Sequence, residues 1–233
     1  MREFAVIFDF NGTMLFDTPI QFQAWNELAE ETLGHGLSRE QFMQCTNGRT
    51  SSETIDYFWG SDVPPERKRE LVARKRENYK RLCLTHPESF HLAEGLPKVL
   101  DLLRAGGIPF TIATSSNPAS MDFYFEHLNL CSWFDRADII CSDQNFPGKP
   151  APDIYRLAAR KLHMPPEQCV VVEDAVAGAR AARAAGIGYV VLIDPTDSGR
   201  VQAGELVDSV MQNFNQLYEK LHRLLQAPRA DNE

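Results

Sequence analysis

Short apolar runs recur along the chain at residues 4–9 (FAVIFD), 110–114 (FTIAT), 138–141 (DIIC), 169–173 (CVVVE) and 189–194 (YVVLID). Each is too short for a helix and almost continuously apolar, the pattern of a strand buried on both faces. The stretches between them carry apolar residues at helical spacing. Helices are expected at residues 96–105, ending at Gly106-Gly107, and at 118–128, 152–162 and 176–185, the last ending at Gly186. Strand alternating with helix predicts an α/β fold: a Rossmann-like parallel sheet with helices on both faces.

Residues 16–91 break this rhythm. No strand-like run occurs there, and residues 20–32, 38–45, 52–58 and 65–84 all have helical spacing. The expected organisation is a Rossmann-like catalytic core of residues 1–15 and 92–233 with an inserted helical cap domain, residues 16–91. Loops after parallel strands carry the sites of such sheets, so an insert after the first strand is expected to act as a lid.

Polar residues with chemical potential stand where the apolar runs stop. Asp9 ends the first run in Asp9-Phe10-Asn11-Gly12-Thr13. Thr114 ends the second, in Thr114-Ser115-Ser116-Asn117. Lys149 follows the third, in Gly148-Lys149-Pro150-Ala151-Pro152-Asp153, and Glu173-Asp174 end the fourth. Parallel strands bring all of these to one edge of the sheet. Three carboxylates there repel one another, and a divalent cation removes the conflict; Mg2+ suits an all-oxygen site with few carboxylates. Lys149 supplies a point charge for phosphate oxygens, and Thr114 and Ser115, just before a helix, form an anion seat. The combination fits phosphoryl transfer.

These motifs, in this order, resemble the haloacid dehalogenase superfamily, most closely its β-phosphoglucomutase and phosphoglycolate phosphatase branch, over the whole chain. The resemblance implies that Asp9 is the nucleophile that forms an aspartyl-phosphate. It implies Mg2+ bound by Asp9, the backbone carbonyl of Asn11 and Asp174, with Glu173 acting from behind the metal or through water. Thr114, Ser115 and Lys149 would hold the phosphoryl group. Thr46-Asn47-Gly48-Arg49-Thr50 resembles the family's specificity loop, with Arg49 the candidate contact to a second anionic group.

Two departures change the expectation. The family usually has a second Asp where this chain has Asn11, and an amide cannot carry the proton that carboxyl gives to the leaving oxygen. Acid–base help of this kind is worth about 10²–10⁴ in rate. The mutase branch has a histidine where Gln21 aligns. The expected activity is therefore a Mg2+-dependent phosphatase of a small phosphorylated metabolite. A sugar phosphomutase is one alternative, and a non-catalytic phosphometabolite binder is another.

Composition narrows the partners. With 233 residues the chain can bury a core unaided, and its formal net charge of −8 argues against nucleic acid. The 5 cysteines form no C-x-x-C pair, which fits free thiols in a reducing cytoplasm. Neither a leader nor a membrane span is expected, and the protein is read as a monomer or weak homodimer. The basic run at residues 67–81, interleaved with Glu70 and Glu77, reads as a solvated, ion-paired helix face. Thr114 and Glu173-Asp174 also have plain readings, as caps of the helices that follow them.

Overall fold

The computed structural model describes residues 4–46, 50–142, 146–195 and 203–226. Contacts divide the chain into two compact units, Met1–Met14 with Leu92–Glu233, and Leu15–His91.

The first unit is built on a six-stranded sheet of order β3-β2-β1-β4-β5-β6. The strands are β1 (Ala5–Phe8), β2 (Phe110–Thr114), β3 (Ile140–Cys141), β4 (Cys169–Glu173), β5 (Tyr189–Ile193) and β6 (Ser209–Met211). Every pairing is parallel. β1 is central, with Val6 opposite Phe110 on one side and Val170 on the other. All four of its residues are buried, which accounts for its unbroken apolar sequence.

Alternation along β1 assigns the two faces. Ala5 and Ile7 join Val171 and Val190 in a core with Ile154, Tyr155 and Ala158 of α7 (Asp153–Lys161) and Ala179 and Ala182 of α8 (Val176–Ala185). The alanine-rich face of α8 lets its backbone lie close to the strands. On the opposite face Phe8 meets Phe214 of α9 (Phe214–Gln226), with ring centroids 6.3 Å apart. Burying a Val or Ile side chain contributes about 1.5–3 kcal/mol. The central strands are thus the most stabilised part of this unit, and the site residues hang from their ends. Two further helices, α5 (Leu96–Ala105) and α6 (Pro118–His127), precede and follow β2.

Three details differ from the sequence pattern. The run 138–141 is a strand only at its end, because residues Arg136–Asp138 form a 3-10 turn whose Ala137 N–H is capped by Asp135 at 2.9 Å. β6 and α9 follow beyond the last predicted strand. β6 is a three-residue edge strand containing Ser209, too short and too polar to register as an apolar run. Asn117, rather than Thr114, caps α6, its Oδ1 accepting from Ser120 N–H at 2.9 Å.

The second unit holds α1 (Thr18–Leu33), α2 (Arg39–Thr46), α3 (Ser51–Trp59) and α4 (Pro65–Thr85). Its core gathers Trp25, Leu28, Ala29, Leu37, Phe42, Ile55 and Leu71. Thr50 and Glu53 form a capping box at the start of α3, with Thr50 N–H donating to Glu53 Oε2 at 2.7 Å. The basic run on α4 is ion-paired, but largely across helices. Arg81 pairs with Glu27 at 2.5 Å, and Arg74 and Lys68 pair with Glu31 and Asp56. Arg67–Glu70 follows the spacing within the helix. Lys75 corrects the reading outright: it is 8% exposed and lies inside this unit, not on its solvated face. Its Nζ donates to Gln21 Oε1 and stands 5.2 Å from the Trp25 ring and 5.0 Å from the Tyr79 ring.

Among the described residues, no helix is long and apolar enough to cross a membrane.

Candidate active site

β1 ends at Phe8, and Asp9 continues its ladder by one bond, Asp9 N–H to Val172 C=O at 2.9 Å. This places Asp9 at the point where the strand order turns back, between β2 and β4, the position at which parallel sheets open a crevice. Thr114 ends β2 and Glu173 ends β4 on the same edge.

Lys149, in the segment before α7, joins two of these strand ends. Its Nζ donates to Asp9 Oδ1 and to Glu173 Oε1, both at 2.5 Å. Asp9 and Lys149 are each 6% exposed and Glu173 is 1% exposed. Burial opposes the Lys149 ammonium, but Asp9 and Glu173 outweigh it and hold its pKa well above the usual lysine value. Lys149 is therefore a fixed positive charge in this site.

Glu173 is a hub. Oε1 also accepts from Tyr155 Oη at 2.7 Å, and Oε2 accepts the N–H groups of Asp174 and Ala175, each at 2.9 Å. Burial pushes the Glu173 pKa up, but the Lys149 charge and these hydrogen bonds bring it below the ordinary range. The seat also needs Gly178: a Cβ there would lie 1.7 Å from Glu173 Oε1. The turn after Asp9 has a similar constraint. Gly12 has φ +86°, and a Cβ there would lie 2.2 Å from Asp174 Oδ2. Thr13 Oγ1 donates to Asp174 Oδ1 at 3.1 Å.

Asp9, Glu173 and Asp174 each bring one carboxylate oxygen within 4.8 Å of the others. Burial, and then the charges of Glu173 and Asp9, push the Asp174 pKa well above the ordinary carboxylate range. A divalent cation would offset that repulsion, and the donors are the hard oxygens that Mg2+ favours. The residues present therefore fit a magnesium site. With Glu173 bound to Lys149, Tyr155 and two backbone N–H groups, Asp9 and Asp174 are the carboxylates better suited to contact the ion.

The remaining predicted residues are placed as follows. Thr114 Oγ1 accepts from Ser116 N–H at 3.0 Å, which leaves its own hydroxyl proton to offer. Ser115 stands beside it, half-buried. Asn11 bridges two residues that motif spacing did not single out: Ser116 Oγ donates to its Oδ1 at 2.7 Å, and its Nδ2 donates to Tyr124 Oη at 3.0 Å. Arg49, with Asn47 and Gly48, lies outside the described residues. Gln21 belongs to the helical unit, where its Nε2 donates to Asp17 Oδ2 at 2.7 Å. Sequence reasoning missed Tyr155 and Tyr124, because an isolated tyrosine within a helix carries no motif, and gave Ser116 no role although it stands in the Thr114 motif.

Comparison with known proteins identifies the family. The profile of the haloacid dehalogenase-like hydrolase family matches residues 5–186. The fructose-1-phosphate phosphatase YqaB of Escherichia coli is 34% identical over 196 residues, covering 81% of this chain and 96% of the relative. The β-phosphoglucomutase of Bacillus subtilis is 31% identical over 188 residues, 78% of this chain and 80% of the relative. Among solved structures, a family IA hydrolase of Entamoeba histolytica superposes with a TM-score of 0.84 at 31% identity, covering 96% of this chain and 99% of that one.

Proposed function

We propose that this chain, which belongs to the haloacid dehalogenase-like hydrolase family, is a magnesium-dependent phosphatase of small phosphorylated metabolites, with phosphorylated sugars the first class to test. The observation that carries the reading is the buried Lys149–Asp9 contact of 2.5 Å, with Asp174 beside it at the end of a neighbouring strand. A buried lysine is expensive unless paired, and here its partner is the carboxylate that the chemistry requires. The sugar-phosphate preference draws on the fructose-1-phosphate phosphatase relative.

In this mechanism Asp9 attacks phosphorus. A carboxylate O–P bond forms while the bond from phosphorus to the leaving oxygen breaks, and the electron pair departs with that oxygen. Lys149 and the Thr114 hydroxyl hold the phosphoryl oxygens as charge spreads over them. Bound Mg2+, held by Asp9, Asp174 and the Asn11 carbonyl, would supply charge neutralisation. Asn11 has no acidic proton to give, so the leaving oxygen takes its proton from water. Water then attacks the aspartyl-phosphate, releasing phosphate and restoring Asp9. Both water-dependent steps are slower than they would be with a carboxyl at position 11, so good leaving groups are preferred.

A screen of sugar phosphates, acyl phosphates and pyrophosphate with and without Mg2+ tests this. Metal-dependent release of phosphate that disappears in Asp9→Asn is the expected result. Equal, metal-independent release from wild type and variant would overturn it, and tight binding of a phosphometabolite without turnover would favour a non-catalytic binder. The mutase relative motivates one control, interconversion of β-glucose 1- and 6-phosphates. No interconversion is expected, because Gln21 stands where the mutase branch has its histidine.

A further inference from the structure

Asn11 follows the nucleophile by two residues, and its amide is gripped at both ends. Ser116 Oγ, from the loop between β2 and α6, donates to Oδ1 at 2.7 Å. Nδ2 donates to Oη of Tyr124, on the buried face of α6, at 3.0 Å. Tyr124 is itself fixed: it is 2% exposed, and its ring packs on Phe10 with centroids 4.7 Å apart. A buried tyrosine hydroxyl needs a partner, and here it takes the side chain at the position that governs the leaving group.

An asparagine that rotates by half a turn about its last bond exchanges N–H for C=O. Toward an oxygen gaining negative charge, N–H is stabilising and C=O is repulsive, and the difference matters most in a water-poor site. We propose that Ser116 and Tyr124 are positioning residues that lock the Asn11 amide in one orientation, so that its N–H group assists departure of poor leaving groups. The proposal rests on the phosphatase reading. In the step concerned, the P–O bond breaks, the leaving oxygen keeps the electron pair and accepts a hydrogen bond from Asn11, and water provides the proton. The amide gives up no proton.

The readout is a ratio. kcat/KM is measured for p-nitrophenyl phosphate, whose leaving oxygen needs little help, and for glycerol 3-phosphate, whose leaving oxygen needs much. In Tyr124→Phe and in Ser116→Ala the first-to-second ratio is expected to rise about tenfold, the worth of one well-aligned hydrogen bond. Ser116→Thr, which keeps a hydroxyl, restores it. A purely structural role lowers both substrates alike, so an unchanged ratio overturns the proposal. A wild type without Asp9-dependent turnover would instead count against the phosphatase reading. The clamp is then read directly from the side-chain amide protons of Asn11 by NMR. Slow exchange in wild type that quickens in Tyr124→Phe supports it, and exchange at solvent rates in wild type overturns it.

Discussion

At Asn11 the departure from the family's usual pattern is a single group, an amide nitrogen in place of a carboxyl oxygen. Ser116 and Tyr124, which hold the amide, are both hydroxyls and can each donate to a carboxylate instead. Asn11→Asp is therefore accommodated without rebuilding the site. It is expected to raise kcat/KM on alkyl phosphates by about 10²–10⁴, and much less on acyl phosphates, in a steady-state assay. The residues to which the proposed mechanism gives the chemistry stood out in sequence because they sit beside strand ends and short motifs: Asp9, Thr114, Lys149, Glu173 and Asp174. Those that hold them did not. Tyr124 lies 113 residues from Asn11, and Tyr155 reaches Glu173 across 18 residues from within a helix. Neither spacing has any meaning until the sheet brings its ends together.

At the scale of elements, α8 shows how packing can reverse a propensity. Alanine is ordinarily better than glycine in a helix by about 1 kcal/mol. At Gly178 the added Cβ would sit 1.7 Å from Glu173 Oε1, forcing that carboxylate off Lys149, Tyr155 and two backbone N–H groups. Breaking a buried ion pair costs about 3–5 kcal/mol, so Gly178→Ala is expected to lower stability by that order in urea unfolding. In the helical unit, Lys75 yields a pH dependence. Burial lowers its pKa from 10.5 to about 8, against the opposing pull of Asp17. Between those values the unfolded chain binds more protons than the folded one, so the Lys75 contribution to stability rises with pH from about 8 to 10.5. Above pH 9 the Cys83 thiol, pushed up by burial from 9.0 to about 12, works in the opposite direction. The difference in unfolding free energy between wild type and Lys75→Met isolates the lysine, and should grow in favour of wild type across that window. α4 was legible as a charged helix, but the inward turn of Lys75 was not. It stands in the basic triplet Arg74-Lys75-Arg76, and its contacts with Gln21, Trp25 and Tyr79, from two different helices, distinguish it from its neighbours.

At the scale of the whole molecule, the parallel order was legible because apolar runs alternate with helices, whereas β6 escaped because an edge strand needs little apolar sequence. The net charge of −8 makes the local field at the site matter more, since a phosphate approaches a chain that repels it overall. Lys149, together with a cation held by the neighbouring carboxylates, would supply the attraction. Mg2+ at about a hundred times its Kd is expected to stabilise the protein by about 2.7 kcal/mol, seen as a rise in Tm. Asp174→Asn should abolish that rise. In the proposed mechanism Asp9 itself accepts the phosphoryl group, and Asn11 is expected to let that intermediate accumulate by slowing its release to water. Quenching the enzyme during turnover, reducing with borohydride and sequencing the peptides by mass spectrometry tests it most directly. The predicted result is homoserine at position 9 in wild type, much reduced in Asn11→Asp; turnover with Asp9 unmodified, or with the label on another residue, would contradict it.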